Sequence, residues 1–163
     1  MNIRQVKLTD SAQVAEIYNY YIQSTHHTFE TEPLSADEMQ KRIAEIAEHH
    51  PYLVAEEDGE ILGYAFATRF RMREAYEFSV ESSIYVKNDA KQRKIGTQLY
   101  VQLFDELAET NVHAIVAGIA LPNDASISFH ERLGFEKVAH FKEVGYKLGR
   151  WIDVGYWEMI NRI

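Results

Sequence analysis

Hydrophobic positions follow two spacings along the chain, and the two spacings predict different elements. Near the start, apolar residues recur every three or four positions, which indicates a helix with one buried face; they are Val14, Ile17, Tyr18, Tyr21 and Ile22. Thr9 or Asp10 is expected to cap this helix. Ser35 and Glu38 form a capping-box pair that predicts a second helix, with an inner face of Met39, Ile43 and Ile46.

Apolar runs separated by turn residues predict the strands. Asp58 and Gly59 are typical of a two-residue hairpin turn between strands over 52–57 and 60–70. The almost unbroken apolar run over 114–120 predicts a strand covered on both faces. Two closing strands, over 135–144 and 150–159, are expected to join through Gly145 and Gly149. Two more helices are predicted over 96–110 and 124–133, and the second ends at Gly134. The first faces inward through Leu99, Leu103, Phe104 and Leu107. This succession of helices and strands predicts an α/β fold with a mixed sheet.

Composition limits the classes of function. At 163 residues the chain is expected to be one domain, 1–163, and its net charge of -8 argues against a nucleic-acid partner. The absence of cysteine excludes a thiolate nucleophile and a thiolate zinc site, and the histidine pairs have no carboxylate at ligand spacing, so no metal is expected. The start has no signal-peptide pattern and no apolar run is long enough for a membrane, so a cytoplasmic protein is expected.

The stretch over 80–107 predicts an anion site, because a strand predicted over 76–86 leads into a basic loop and then into the start of a helix. The first N–H groups of a helix have no partner within it, and the helix dipole is positive at that end. The loop adds positive charge through Lys87, Lys91, Arg93 and Lys94. We interpret it as a cradle for a pyrophosphate; a solvated basic loop is the alternative.

Two motifs resemble those of the GNAT superfamily of N-acetyltransferases. Lys91-Gln92-Arg93-Lys94-Ile95-Gly96 resembles the acetyl-CoA motif Gln/Arg-x-x-Gly-x-Gly/Ala, with lysines at the first position and at the first glycine. The stretch 123–135 resembles the closing motif Asn-x-x-Ala-x-x-Leu-Tyr-x-x-x-Gly-Phe, with His130 at the tyrosine. The resemblance implies acetyl-CoA as co-substrate, bound by Ile84, Tyr85, Val86, Lys91, Gln92, Arg93, Lys94, Ile95, Gly96, Thr97 and Asn123.

Further stretches resemble the phosphinothricin and methionine sulfoximine acetyltransferases within that superfamily. They are 28–33, 80–86, 119–124 with 130–131, and 144–157, so the resemblance covers nearly the whole chain. It implies the GNAT fold, α/β with a mixed, mostly antiparallel sheet flanked by helices and a splayed central strand pair. It also implies a homodimer that acetylates the α-amino group of a small amino acid or analogue, an activity that gives resistance to an antibiotic or herbicide.

The chemistry of such a transfer explains two residue types independently of the family. An attacking amine must first lose a proton, and the departing thiolate leaves more easily if it gains one. Glu81, on an apolar strand next to the cradle, is the candidate base, because burial would raise its pKa toward neutrality. His130 is the candidate acid. A backbone N–H near 84–86 would stabilise the carbonyl oxygen.

The acceptor needs partners for its carboxylate and for a second polar end. Arginine suits a carboxylate, and Arg73, with Arg71 second, is our candidate. Phe29, Glu30 and Glu74 are the other candidate substrate residues, whereas Trp151, Tyr156 and Trp157 are expected in the core or at a dimer contact.

Two other functions stay open on the sequence. One is an acetyl-CoA sensor without turnover, because Lys94 and His130 depart from the motifs. The other is a protein N-terminal or polyamine acetyltransferase, for which an acidic pocket without Arg71 and Arg73 would be expected.

Overall fold

The computed structural model describes residues 1–90 and 94–161. Its strands are β1 Asn2–Gln5, β2 Tyr52–Glu57, β3 Glu60–Arg69, β4 Ser79–Val86, β5 Ala114–Ala120, β6 Glu136–Lys147 and β7 Arg150–Ile160. Its α-helices are α1 Ser11–Ser24, α2 Ala36–Ala47, α3 Ile95–Ala108 and α4 Asp124–Arg132. Short 3-10 turns cover Leu8–Asp10, Glu74–Tyr76 and Asn88–Ala90. The order of helices and strands is the one predicted from the sequence.

The strands form a mixed sheet in the order β1-β2-β3-β4-β5-β7-β6. Strands β4 and β5 are parallel, whereas β1–β2, β2–β3, β5–β7 and β6–β7 pair antiparallel. The pairs between β4 and β5 in the described chain are Ser79 with Ala114, Val80 with Ile115 and Glu81 with Val116. Strand β4 then runs on to Val86 and β5 to Ala120. The mixed sheet and the central pair that separates after a short parallel ladder are therefore as predicted.

Contacts group the chain into two compact units. The first contains residues 1–20, 34–68 and 82–111, and in it α3 packs on β1 and β2. Leu99 and Leu103 are fully buried on the inner face of α3, as predicted, while Phe104 is half-buried. The capping box of α2 is also confirmed, because the Glu38 N–H donates to Ser35 Oγ over 3.1 Å and the Ser35 N–H donates to Glu38 over 2.7 Å.

The second unit contains residues 21–33, 69–81 and 112–161 of the described chain. Helix α4 packs its end against β7 through the Trp157 indole N–H, which donates to the Glu131 carboxylate over 3.1 Å. The helix ends at Gly134, whose φ of 96° is left-handed. The Gly134 N–H donates to the Glu131 carbonyl and the Phe135 N–H to the His130 carbonyl, which is the Schellman pattern. The predicted end of this helix is confirmed.

Three boundaries differ from the prediction. A 3-10 turn precedes α1, because Asp10 accepts from the Lys7 N–H and pairs with Arg4 instead of capping the helix. Strand β4 begins at Ser79 rather than near 76, because a 3-10 turn occupies Glu74–Tyr76. Strand β6 continues through Gly145, so that the hairpin turn is Leu148-Gly149, with φ of 54° and 75°. Positive φ at both positions fits a two-residue hairpin.

Candidate active site

One face of the sheet in the second unit carries the candidate base. Glu81 of β4 is paired with Val116 of β5, and two residues further along β5 is Gly118, which is paired with Tyr156 of β7. Side chains two positions apart on a strand share a face. A Cβ placed on Gly118 would lie 3.4 Å from Glu81 Oε1. The Glu81 carboxylate therefore lies directly beside the Gly118 backbone.

Burial changes the acidity of this carboxylate. The pKa of Glu81 is raised above its ordinary value because the half-buried carboxylate loses hydration, and the charge of Arg71 opposes part of that rise. This is the direction that the sequence analysis expects for a base that accepts an ammonium proton. Tyr156 also has a raised pKa, because of burial and then the charge of Glu81, so its phenol stays neutral near pH 7.

Sequence reasoning missed Gly118 and placed Tyr156 elsewhere. The run over 114–120 was expected to be covered on both faces, yet Gly118 is exposed while Ala117 and Ile119 are buried. Tyr156 was assigned to the core or a dimer contact, whereas its ring lies against Gly118 and its phenol lies close enough to Glu81 for the carboxylate charge to raise its pKa. A lone glycine inside an apolar strand is a signal of close approach by a ligand or another group, and it could have identified the position.

The two candidate arginines, Arg71 and Arg73, differ in whether their charge acts on the candidate base. Arg71 is exposed, lies over the Phe70 ring at 4.6 Å, and acts electrostatically on both Glu81 and Tyr156. Arg73, the residue preferred on the sequence, is exposed at the start of the Glu74–Tyr76 turn. The structure therefore brings Arg71 rather than Arg73 into electrostatic reach of the candidate base. Glu74 is exposed in the same turn.

The segment after α1 is anchored to the end of the β6–β7 hairpin. A Cβ on Gly145 would lie 2.3 Å from two ring atoms of Phe29, so the ring rests directly on that glycine. The Lys147 ammonium donates to the Thr28 carbonyl over 2.7 Å, although Lys147 is only 5% exposed. Burial lowers the pKa of Lys147, and the charge of Glu30 opposes this. These contacts fix the position of Phe29, and the charge of Glu30 lies within electrostatic reach of Lys147.

His130 is buried, with 4% exposure, and its ring is packed edge-on between Phe129 and Phe135. Its Nδ1 lies 2.8 Å from the Ser126 carbonyl oxygen. A carbonyl only accepts, so Nδ1 carries the proton. Burial lowers the pKa of His130 more than this hydrogen bond raises it, so the ring is neutral near pH 7 and Nε2 has no proton to give. We therefore propose that His130 orients the start of α4 through Ser126 and does not serve as the acid.

Replacing His130 by asparagine separates the two roles. Asparagine places an amide N–H near the position of Nδ1 and retains the bond to Ser126, so we expect a fall in kcat at pH 7 far smaller than the ~10²-fold or greater loss of a general acid. Thermal unfolding of the variant should shift to lower temperature, because the ring contacts are lost. Steady-state kinetics measure the change in kcat, and a melting curve measures the shift in unfolding temperature. A loss of ~10²-fold with an unchanged melting temperature would restore His130 to the acid role.

The start of α3 has the properties of an anion site. Lys94 precedes the helix with φ 58° and ψ 19°, so the lysine takes the left-handed conformation that the motif glycine takes freely, at a cost of ~1 kcal/mol. Among the described residues, no side chain caps this end and the first turn has no acid. Ile95 is buried, Gly96 half-buried and Thr97 exposed. The predicted cradle residues Lys91, Gln92 and Arg93 lie outside the described residues.

Two other groups of predicted cofactor residues have defined places. Ile84, Tyr85 and Val86 are half-buried in the part of β4 that follows its pairing with β5. In α4, Asn123 Oδ1 accepts from the Ser126 N–H over 3.2 Å and caps the helix. The amide nitrogen of Asn123 is therefore the atom that this side chain can offer to a ligand.

The described residues contain neither a metal-binding cluster nor a membrane-spanning helix. No group of three or more His, Cys, Asp or Glu side chains is arranged to hold a metal ion among residues 1–90 and 94–161. No helix in the same part of the chain is long and apolar enough to cross a membrane.

Comparison with known proteins identifies the family. Residues 3–155 match the family model described as the acetyltransferase (GNAT) domain. The chain is 41% identical to a phosphinothricin N-acetyltransferase of Streptomyces coelicolor, over 91% of this chain and 90% of the relative. It is 33% identical to an L-methionine sulfoximine/L-methionine sulfone acetyltransferase of Salmonella typhimurium, over 98% and 94%.

A solved structure agrees with these relatives. The crystal structure of a GNAT superfamily phosphinothricin acetyltransferase from Sinorhizobium meliloti, in complex with acetyl-CoA, superposes with a TM-score of 0.94 at 34% identity, over 98% of this chain and 87% of that one. The resemblance and the fold predicted from the sequence are thus confirmed. Because the family model spans most of the chain and the relatives match nearly all of it, this chain belongs to the GNAT family and is an acetyl-CoA-dependent N-acetyltransferase.

Proposed function

We propose that the enzyme acetylates the α-amino group of a small free amino acid or analogue, with phosphinothricin, methionine sulfoximine and methionine sulfone as acceptors. The observation that carries this proposal is the Glu81 carboxylate beside the exposed Gly118, with the positive charge of Arg71 in reach. A base and a cation on one open face match the ammonium and carboxylate groups of an α-amino acid. The names of the two relatives support this acceptor class.

The proposed reaction is direct transfer. Glu81 accepts a proton from the acceptor ammonium, which leaves a lone pair on nitrogen. That lone pair forms a bond to the thioester carbonyl carbon, and the carbon–sulfur bond breaks. A thiolate with a pKa of about 8.5 leaves and takes a proton from water. The acylated nitrogen gives its second proton to the hydroxide that remains, so that a neutral amide is formed. In this proposal the neutral Nε2 of His130 donates no proton to the thiolate.

The electrostatics favour a free amino acid over the other acceptors considered. Arg71 would pair with an α-carboxylate, and its charge would repel a polyamine. A protein N-terminus has an amide in place of that carboxylate. The sensor alternative requires a chain without turnover, whereas the relatives named above are enzymes.

A panel of acceptors tests the proposal through thiol release from acetyl-CoA. We expect release with methionine sulfone, methionine sulfoximine and phosphinothricin, and much less with methionine sulfone carboxamide, which keeps the amine and lacks the charge. Spermidine should give none. Equal release with the acid and its carboxamide, or release with spermidine alone, would overturn the amino-acid assignment. No release with any amine would favour the sensor.

We also propose that the enzyme is a homodimer through the β6–β7 hairpin. Several large apolar side chains of this hairpin are at least half exposed, which is unusual for a monomer surface; they are Phe141 50%, Val144 59%, Tyr146 60%, Leu148 58% and Trp151 63%. Light scattering after size exclusion should give twice the 18.9 kDa chain mass. Replacing Tyr146 and Trp151 by serine should return one chain mass, and a wild-type monomer would contradict the proposal.

A further inference from the structure

Gly118 opens a gap in the middle of a buried strand. Its neighbours Ala117 and Ile119 are 1% and 4% exposed and face the other side of the sheet. On its own face, Val116 and Ala120 are 6% and 7% exposed, so the strand is covered on both sides of the glycine. Gly118 alone in this stretch of β5 is exposed. The exposed surface at Gly118 consists of backbone atoms, and the gap above it has the width of one side chain.

Two functional groups border this gap. A Cβ on Gly118 would lie 3.4 Å from Glu81 Oε1, 3.3 Å from Tyr156 Cε1 and 3.5 Å from Tyr156 Cζ. The distance to Cε1 is tighter than most Cβ contacts in proteins and the distance to Cζ is an ordinary contact, so a methyl group would fill the space between the carboxylate and the ring. The ring itself is held in place by the edge of Phe141, with ring centres 5.8 Å apart at 90°.

We propose that Gly118 is the floor of the acceptor-amine subsite, with Glu81 and Tyr156 as its walls, and that this floor restricts the enzyme to primary amines. The proposal deepens the function proposed above and rests on it. An ammonium group on Gly118 reaches the Glu81 oxygen from the open side. An N-methyl group on the acceptor would need the volume next to the Tyr156 ring that a Cβ at 118 would need.

The backbone conformation at position 118 does not require glycine, so the Gly118→Ala substitution tests the effect of the added methyl group. The backbone at 118 is in β5 and has no positive φ, so alanine fits its conformation and glycine is the less stable choice in a strand. Any functional loss in Gly118→Ala therefore comes from the methyl group. Its melting temperature, measured beside the kinetics, reports how far the Tyr156 ring yields to a methyl group that would lie 3.3 Å from Cε1.

The first experiment compares kinetics of Gly118→Ala with the wild type. We expect kcat/KM for methionine sulfone to fall by about 10- to 200-fold, the range for one methylene in a fitted pocket, with an unchanged KM for acetyl-CoA. Wild-type enzyme should discriminate against N-methyl methionine sulfone by a similar factor. A change of less than twofold for both the variant and the N-methyl acceptor would overturn the proposal.

The second experiment is a steric rescue. Tyr156→Leu removes the ring edge that the added methyl would touch, so Gly118→Ala should cost less kcat/KM in the Tyr156→Leu background than in the wild type. Additive losses would show that the methyl acts elsewhere and would contradict the proposal. Failure of the proposed function is distinct, because the wild type would then release no thiol with any primary amino acid.

Discussion

Replacing Glu81 by glutamine is expected to lower kcat for amino-acid acetylation at pH 7 by about 10²- to 10⁴-fold, the contribution of a general base. Glutamine keeps the size of the side chain beside Gly118 and loses the proton acceptor. Most of an α-amine is protonated at neutral pH, so the reaction then depends on the small fraction of free amine in solution. Thiol release at saturating acceptor measures the effect.

The pH profile distinguishes loss of a base from general damage. In the wild type, kcat/KM for the acceptor should rise as Glu81 ionises, above the ordinary glutamate pKa because burial raises it. The Glu81→Gln profile should lack that rise and approach the wild type only in alkaline solution, where free amine is abundant. A profile parallel to the wild type at all pH values would remove Glu81 from the base role.

Stability provides the control for this variant. Because the folded pKa of Glu81 is raised above its unfolded value, the folded chain binds more protons between the two, and stability falls as pH rises through that window. Above that pH window, the ionised and half-buried carboxylate still causes a loss of folding stability. Glutamine removes this loss, so Glu81→Gln should melt at the same temperature as the wild type or higher at pH 7. A lower melting temperature would contradict the burial argument.

Replacing Arg71 by alanine is expected to raise KM for the acceptor by about 10- to 100-fold, the loss of one hydrogen bond to a charged group. The KM for acetyl-CoA should change little, because the charge of Arg71 acts on Glu81 and Tyr156. Removing that charge also raises the pKa of Glu81 further, so the acidic rise of the pH profile should move to higher pH. Initial rates with each substrate varied in turn measure both effects.

Arg73→Ala is the matched control. It is the same residue type, two positions away and also exposed. We expect its KM for the acceptor to stay within a few-fold of the wild type. If Arg73→Ala raises KM as much as Arg71→Ala, the carboxylate is shared between them; if only Arg73→Ala does, the ranking made from the sequence is right and Arg71 leaves the site.

Most of the fold could be predicted from the sequence, because local sequence signals determine where its helices and turns begin and end. The Asp58-Gly59 turn, the Ser35 capping box and the Gly134 helix end each depend on the conformation or hydrogen bonding of adjacent residues, and each is found as predicted. Gly145 was predicted to be part of the turn, because the contact that requires a glycine there is made by a residue far away in the sequence. It makes room for the ring of Phe29, more than a hundred residues away in the chain.

The candidate site was predictable only in part. Glu81 stood out as a carboxylate on an apolar strand, and its half-burial and raised pKa follow that reasoning. Arg73 was preferred to Arg71 as the partner of the acceptor carboxylate, whereas Arg71 is the arginine whose charge acts on Glu81. His130 was expected to be the acid because of its motif position, but burial lowers the pKa of its ring and the Ser126 carbonyl holds the remaining proton on Nδ1. Such tertiary surroundings leave no pattern in the sequence.

Lys147 has a practical consequence for work in alkaline buffer. Burial lowers the pKa of its ammonium in the folded chain below the unfolded value, so folding becomes more favourable as pH rises between the two. A neutral amine can still donate to the Thr28 carbonyl. The titration of Lys147 therefore brings no loss of folding stability in the basic solutions where the Glu81→Gln variant is expected to regain turnover.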